Sequence, residues 1–163
     1  MGTHYSGTEE EIAALDVYIK LSRAAESVTQ RINWHLQEVN LTISQFGVLE
    51  ALYHLSSLQP GQLAQKVLKS SGNMTLVIDN LVKRGLVTRR RRTDDRRCID
   101  ITLTEQGSAL IKDIFPRHVI GVVQTINALS RDEQQQLATL CRKLGKSGEQ
   151  RVARGELGLA SGV

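Results

Sequence analysis

Apolar residues recur at Ile12, Leu15 and Ile19, and again at Val28, Ile32, Leu36 and Val39, three or four apart within each set. That spacing traces one stripe of a helix and predicts a single long helix from Ile12 to Val39, open to a bend. Asn40-Leu41 interrupts the stripe. Thr42-Ile43-Ser44-Gln45 has the form of a capping box, which opens a second helix with Phe46, Leu49, Leu52 and Tyr53 inward. Ser56 to Gln59 reads as a connector. Pro60 suits a first helical position, where its missing N–H costs nothing, and Leu63, Ala64, Val67 and Leu68 are expected on the buried side of a short third helix.

Ser70-Ser71-Gly72 breaks the pattern for a tight turn, with Ser70 or Ser71 able to accept a backbone N–H at a helix start. The fourth helix is expected to turn Met74, Ile78, Leu81 and Val82 inward, leaving Asn73, Thr75, Leu76, Asp79, Asn80 and Lys83 outward. Gly85 is placed to end it in the left-handed conformation. Two short helices joined by a small-residue turn form a helix-turn-helix. Leu86 to Arg92 then reads as a strand, Thr93 to Arg96 as a turn, and Arg97 to Leu103 as a returning strand. Ile99, Ile101 and Leu103 share one face of it, and Cys98, Asp100 and Thr102 the other.

Thr104 suits an N-cap for a helix rich in apolar residues from Leu110 to Leu129, with Pro116 expected to kink it. Ser130-Arg131-Asp132-Glu133 is a further capping box, and Leu137, Leu140, Cys141 and Leu144 give the last helix one apolar stripe. This is more apolar surface than one flank of a small domain hides, so both terminal helical regions are expected to pack on a second copy in a two-fold homodimer. Gly145 to Val163 lacks a sustained period and is expected to be a flexible tail. The organisation expected is thus an N-terminal dimerisation helix over residues 1–39, a DNA-binding region over 40–104, C-terminal dimerisation helices over 105–148 and a tail over 149–163.

Charge sharpens this picture. From Lys83 to Arg97 eight cations stand against two anions, a local +6, whereas the whole chain carries only +4 and the remaining residues therefore sum to −2. A positive charge concentrated in one hairpin, directly after a capped helix, suits a phosphate-binding surface. A helix fits the major groove, where Asn73 can pair with adenine and Thr75 and Leu76 can touch a thymine methyl, while Ser70 and Ser71 suit phosphate oxygens. At the hairpin tip Arg97 is the first choice for insertion into the minor groove, with Arg96 and Arg91 as further contacts and Asp95 orienting an arginine. Arg89 and Arg91 share one side of the first strand and Arg90 and Arg92 the other, so only part of the run can face DNA at once.

At 163 residues, 40% hydrophobic and 23% charged, the chain suits one globular domain or a small domain with helical extensions. No apolar run approaches the ~18 residues that cross a bilayer. The acidic start, Glu9 to Glu11, lacks a signal pattern, so a cytoplasmic protein without a membrane partner is expected. Cys98 and Cys141 form no CxxC, and His4, His35, His54 and His118 lack ligand spacing, so neither disulfide nor metal is expected. Asp94 and Asp95 are adjacent in a turn and diverge, and no nucleophile or glycine-rich phosphate motif is present; no enzyme and no cofactor are expected.

The segment Asp95-Arg96-Arg97-Cys98-Ile99-Asp100-Ile101-Thr102-Leu103-Thr104-Glu105-Gln106-Gly107 resembles, without a gap, the Asp-x-Arg-x-x-x-x-x-Leu-Thr-x-x-Gly signature of the MarR family of winged helix-turn-helix transcription regulators. Leu81-Val82-Lys83-Arg84-Gly85-Leu86-Val87 is similarly family-like, and the resemblance extends from about Ile12 to Leu144. It implies a mainly α fold, a winged helix-turn-helix with N- and C-terminal dimerisation helices and a two-stranded β wing. It also implies a repressor on double-stranded palindromic DNA, released by a small aromatic ligand or by oxidant. Phe46-Gly47-Val48-Leu49-Glu50, Leu52-Tyr53-His54 and Ile114-Phe115-Pro116-Arg117-His118 look like a branch associated with phenolic and quinone-type stress. Such regulators often hold aromatic acids or phenols between dimer helices and DNA-binding lobe, which makes Arg23, Trp34, His35 and His54 a candidate ligand pocket. The first helix has no cysteine, which argues against the peroxide-sensing mechanism of a related branch. Cys98, beside Arg96 and Arg97, is a candidate redox residue because nearby cations favour the thiolate. The alternative is a winged-helix module that binds another protein and no specific operator.

Overall fold

The computed structural model describes residues 4–68, 70–91 and 98–153, without the side chains of Ser71 and of residues 147–153. The chain divides into two units, Met1–Val122 and Val123–Val163.

The first helix, α1, spans Glu9–Ile32 and starts earlier than the apolar stripe. Thr8 and Glu11 form a capping box: the Thr8 N–H donates to Glu11 Oε2 (2.8 Å) and the Glu11 N–H to Thr8 Oγ1 (3.2 Å). It also ends at Ile32 rather than continuing to Val39. Asn33 directs both its backbone N–H (3.2 Å) and its side-chain amide (2.8 Å) to the Thr29 carbonyl, a local bond that competes with continuing the helix. A 3-10 turn over Trp34–Gln37 follows. It closes with the Leu41 N–H on the Leu36 carbonyl (3.0 Å), placing Leu36 in the core at 2% exposure.

Helix α2, Ile43–Leu55, opens with the expected Thr42–Gln45 box. Phe46, Val48, Leu49 and Leu52 are buried, whereas Tyr53 is 38% exposed and belongs to the helix edge. Ser57–Leu58, expected as plain connector, forms a short strand β1. Helix α3, Pro60–Lys66, buries Leu63 and Ala64. Leu68 was expected beside them and instead faces solvent, because the helix stops before reaching it.

Helix α4, Ser71–Lys83, packs Met74, Ile78 and Leu81 into the core at 1% exposure or less. Val82 lies at its rim, 36% exposed, and Val77 packs on the core in its place, since 74, 78 and 81 already complete the inward face of so short a helix. Gly85, at φ +68°, ends the helix as expected. Strands β2, Val87–Arg91, and β3, Ile99–Leu103, pair antiparallel with Val87 opposite Leu103 and Arg91 opposite Ile99. Because Leu58 pairs with Ile101, the sheet has three strands in the order β1-β3-β2 rather than two. A two-residue strand is too short for its alternation to be read from sequence.

Helix α5, Glu105–Ile126, contains Pro116 and contributes Ile111 and Ile114 to the same core. Thr104 Oγ1 receives the Gly107 N–H (3.0 Å) and donates to the Gly85 carbonyl (2.6 Å), joining the end of β3, the start of α5 and the end of α4.

In the second unit, Ser130 and Glu133 cap α6, Arg131–Ala153. These bonds hold the Glu133 carboxyl below its usual range. Leu137, Leu140 and Leu144 form one stripe, 43%, 62% and 56% exposed. Cys141, expected as packing, is exposed too. The helix runs past Gly145 and Gly148 to Ala153, so residues 145–153 are helical although the lack of a period from Gly145 onward suggested a tail; the charged and amide residue types around the two glycines are good helix formers. The remainder of that expected tail, residues 154–163, lies outside the described residues.

Candidate nucleic-acid interface

Helix α4 buries one side and presents the other. With Met74, Ile78 and Leu81 inward, the 100° step per residue puts Gly72, Leu76, Asp79 and Lys83 along the opposite ridge, flanked by Thr75 and Asn73. Asn73 and Thr75 are exposed and Leu76 is 62% exposed. A Cβ built at Gly72 meets nothing within 4 Å, so the glycine answers no packing demand. It leaves the first turn of the outward ridge smooth. Ser70, one of the two serines expected at the helix start, occupies the N-cap position with φ −65° and ψ 153°, but its hydroxyl caps no backbone N–H. The Ser71 side chain lies outside the described features.

The sheet register fixes which arginines share this side. Residues directly opposite in an antiparallel pair project to the same face, so Arg89 and Arg91 project with their partners Ile101 and Ile99. Arg90, opposite Asp100, projects to the other face. Arg89 donates to Asp79 Oδ1 of α4, which identifies its face as the α4 side and ties wing to helix. Arg91 lies on that side too, toward the hairpin tip, and is exposed. Arg92, Thr93, Asp94, Asp95, Arg96 and Arg97, including the expected minor-groove residues and the orienting aspartate, lie outside the described residues. Cys98, half-buried, directly precedes β3.

Two cations of the basic run work inside the protein, which the sequence did not reveal. Besides Arg89, Arg84 at the end of α4 donates to the Val39 (3.0 Å) and Asn40 (2.6 Å) carbonyls. The neighbouring Glu38 carboxylate accepts from Arg117 of α5, whose guanidinium lies 6.0 Å from the Trp34 ring centroid. The turn after α1 is therefore gripped by α5 at Glu38 and by α4 at the next two carbonyls.

Within one chain the four expected pocket residues lie in different surroundings. Arg23 is exposed on α1. Trp34, 57% exposed, lines a shallow groove of about 340 Å³ together with Gln30, Asn33, Gln37, Leu41 and Ile43. His35 is 1% exposed, with His118 at 5.5 Å and Phe46 at 6.1 Å between ring centroids. His54 joins a separate cluster with Tyr53 (5.2 Å) and Phe115 (5.1 Å). Phe115 and His118, 6.4 Å apart, link the two groups into one aromatic seam between α2 and α5.

Neither ring nitrogen of His35 makes a hydrogen bond of good geometry among the described residues, the Ile32 backbone interacting only weakly with it, and His118 Nδ1 makes none. Burial pushes both imidazoles below their ordinary value; nearby Arg117 adds to this at His35, opposed by the Ile32 backbone and Glu38, and His35 itself adds to it at His118. An unfolded chain takes up these protons near the ordinary pKa of about 6.5 and the folded chain only at lower pH. The stability concerned is thus fully present above about pH 6.5 and lost as pH falls through the lowered folded values. Thermal unfolding is expected at lower temperature at pH 5 than at pH 7.5, with His118→Phe flattening the profile. A profile that this substitution leaves unchanged would assign the pH dependence elsewhere.

Comparison with known proteins places this architecture. The model of the MarR family matches residues 41–99, from the start of α2 to β3. The chain is 34% identical to the HTH-type transcriptional regulator MhqR of Bacillus subtilis (strain 168), over 84% of this chain and 94% of that protein. The chain belongs to the MarR family. Among MarR-type structures, AbsC from Streptomyces coelicolor superposes with a TM-score of 0.78 at 21% identity, covering 89% of this chain and 98% of AbsC. BpsR of Bordetella bronchiseptica, described as regulated in its DNA binding by 6-hydroxynicotinic acid, gives 0.72 at 26% identity over 79% of this chain and 98% of its own. The winged helix-turn-helix read from the sequence is thus the family fold. Its Leu-Thr-x-x-Gly motif acquires a physical reason here: Thr104 bridges three elements, and a Cβ at Gly107 would stand 1.9 Å from the Leu86 carbonyl oxygen.

Proposed function

We propose that this MarR-family protein is a homodimeric, sequence-specific DNA-binding repressor that works in the cytoplasm and occupies a palindromic operator. The observation that carries this reading is the outward ridge of α4 standing beside Arg91 on the same side of the wing. Asn73 reads adenine in the major groove, and Thr75 and Leu76 meet thymine methyls. Ser70 and Ser71 hold phosphate at the start of the helix. Arg97 enters the adjacent minor groove with Asp95 orienting the arginines, and Arg96 and Arg91 add phosphate contacts. The exposed stripe of α6, with Val17 and Tyr18 of α1 at 60% and 66% exposure and Ile120 of α5 at 56%, supports pairing with a second copy. Half-sites then lie about one helical turn, near 10 bp, apart.

Release by a small aromatic acid or phenol is the regulatory reading, supported by the likeness to BpsR and by Trp34 beside its amide-lined groove. Oxidation at Cys98 is the second route, since Arg96 and Arg97 are its neighbours in sequence. Selection of bound duplex from a random pool tests the reading, repeated with phenolic ligands and with oxidant. The expected product is a palindrome whose enrichment falls when an effective ligand or oxidant is present. A pool without any enriched motif would sink the operator reading, and enrichment indifferent to both additions would sink the regulatory one.

A further inference from the structure

We propose that Leu68, in the turn between α3 and α4, is a further DNA-contacting residue, its side chain packing on the apolar edge of the duplex beside the bases that α4 reads. The inference rests on the operator-binding reading above. Its starting point is a conflict between sequence and structure. Helical periodicity assigns Leu68 to the core with Val67, yet the residue is 88% exposed, the most open of the exposed large hydrophobic residues described. A lone exposed leucine is ordinary. This one also has a left-handed backbone, φ +53°, which brings Cβ against the following carbonyl and is unfavourable for a bulky side chain.

The backbone conformation has a local reason, but the side chain does not share it. Helix α3 ends with the Val67 N–H on the Leu63 carbonyl (2.9 Å) and the Leu68 N–H on the Gln65 carbonyl (3.3 Å), a termination that favours a left-handed residue. Glycine suits that place, and the chain uses one for the same purpose after α4, where Gly85 has φ +68°. The other non-glycine residues described with positive φ are Asn40 and Ser56, both short and polar. Leu68 alone among them combines this geometry with a branched apolar side chain, and that side chain gains little burial within the chain. Strain of this kind, without a return in packing, points to a contact outside the chain.

The position identifies the partner. Leu68 lies two residues before the N-cap Ser70, and the N-terminal end of a recognition helix is the part that approaches base edges. Beyond the cap the exposed Asn73 and Leu76 follow along the chain, so Leu68 leads directly into the proposed interface. A leucine donates no hydrogen bond to phosphate. Its chemistry fits carbon: the 5-methyl group of thymine or the deoxyribose edge.

The test compares the full-length wild type with Leu68→Gly on the selected operator duplex, at several salt concentrations, alongside thermal unfolding and sedimentation. Relief of strain predicts a higher unfolding temperature for Leu68→Gly and an unchanged oligomeric state. Binding should weaken by roughly tenfold with the salt slope unchanged, because no phosphate contact is lost. Duplexes with deoxyuridine in place of thymidine separate the two sources of apolar contact. If the exchange costs the wild type more than it costs Leu68→Gly, which keeps Thr75 and Leu76, the contact is a thymine methyl; if Leu68→Gly is weaker on both duplexes by the same factor, it is the sugar edge. Wild-type affinity in Leu68→Gly would overturn the proposal, as would dissociation of the variant into monomers, which would assign Leu68 to a protein contact. A wild-type protein that binds no duplex would instead overturn the operator reading itself.

Discussion

Gly107→Ala is expected to lower the unfolding temperature by about 10 °C, the signature of roughly 3 kcal/mol of overpacking in a chain of this size. The added Cβ would lie 1.9 Å from the Leu86 carbonyl oxygen, 2.9 Å from its carbon and 3.2 Å from its Cα. All three atoms are backbone, so no side chain can swing away. Leu86 is also held on both sides: its N–H donates to the Leu81 carbonyl (3.0 Å) and its carbonyl accepts from the Thr104 N–H (3.1 Å). Relief would have to move the end of α4 or the start of α5, and Thr104 bridges both through Gly85 and Gly107. Gly61→Ala is the control, since a Cβ there meets nothing within 4 Å, and it is expected to be neutral or slightly stabilising. Thermal unfolding of the two variants decides the matter. A Gly107→Ala protein within about 2 °C of wild type, below the shift of 1 kcal/mol, would refute this account of the close approach.

The largest effect on function is expected from charge on the last helix. Leu137 and Leu140 stand on the exposed stripe of α6, and a glutamate at each would have to be desolvated to enter an apolar interface between copies. The double substitution Leu137→Glu, Leu140→Glu should therefore yield a monomer by sedimentation while the helix-turn-helix stays folded. A dimer engages its second half-site at a high effective concentration, so its loss should cost about 100-fold or more in operator affinity. Each protomer would still bind a half-site weakly. A double variant that remains dimeric and binds as before would show that dimerisation uses another surface.

The features readable in the sequence are the local ones. Thr42 with Gln45, and Ser130 with Glu133, are three residues apart, and both boxes form as expected. The inward Met74, Ile78 and Leu81 followed from helical spacing alone, and Gly85 from its place after them. Periodicity fails where a helix ends, because it carries no information about where hydrogen bonding stops. That is why the first helix was extended beyond Asn33 and Leu68 was assigned to the core. Tertiary partners were out of reach for a different reason. His35 and His118, Arg84 and the Val39 and Asn40 carbonyls, and Arg117 and Glu38 are brought together only by packing. As a result the basic run looked more available for DNA than it is, since Arg84 and Arg89 both bond within the protein. The three amides beside Trp34 were missed because a groove is a property of the fold, whereas a run of residues is a property of the chain.

Affinity for the selected duplex as a function of salt tests the central claim most directly, measured for wild type, Arg91→Ala and Asn73→Ala. The wild type should show a steep loss of affinity with rising salt, as counterions released from phosphates require. Arg91→Ala should weaken binding to all sequences and reduce the salt slope by about one for each arginine removed, whereas Asn73→Ala should keep the slope and relax the preference at one base pair of each half-site. Binding that is insensitive to salt, or identical behaviour of the two variants, would contradict an interface in which α4 reads bases and the wing holds phosphate.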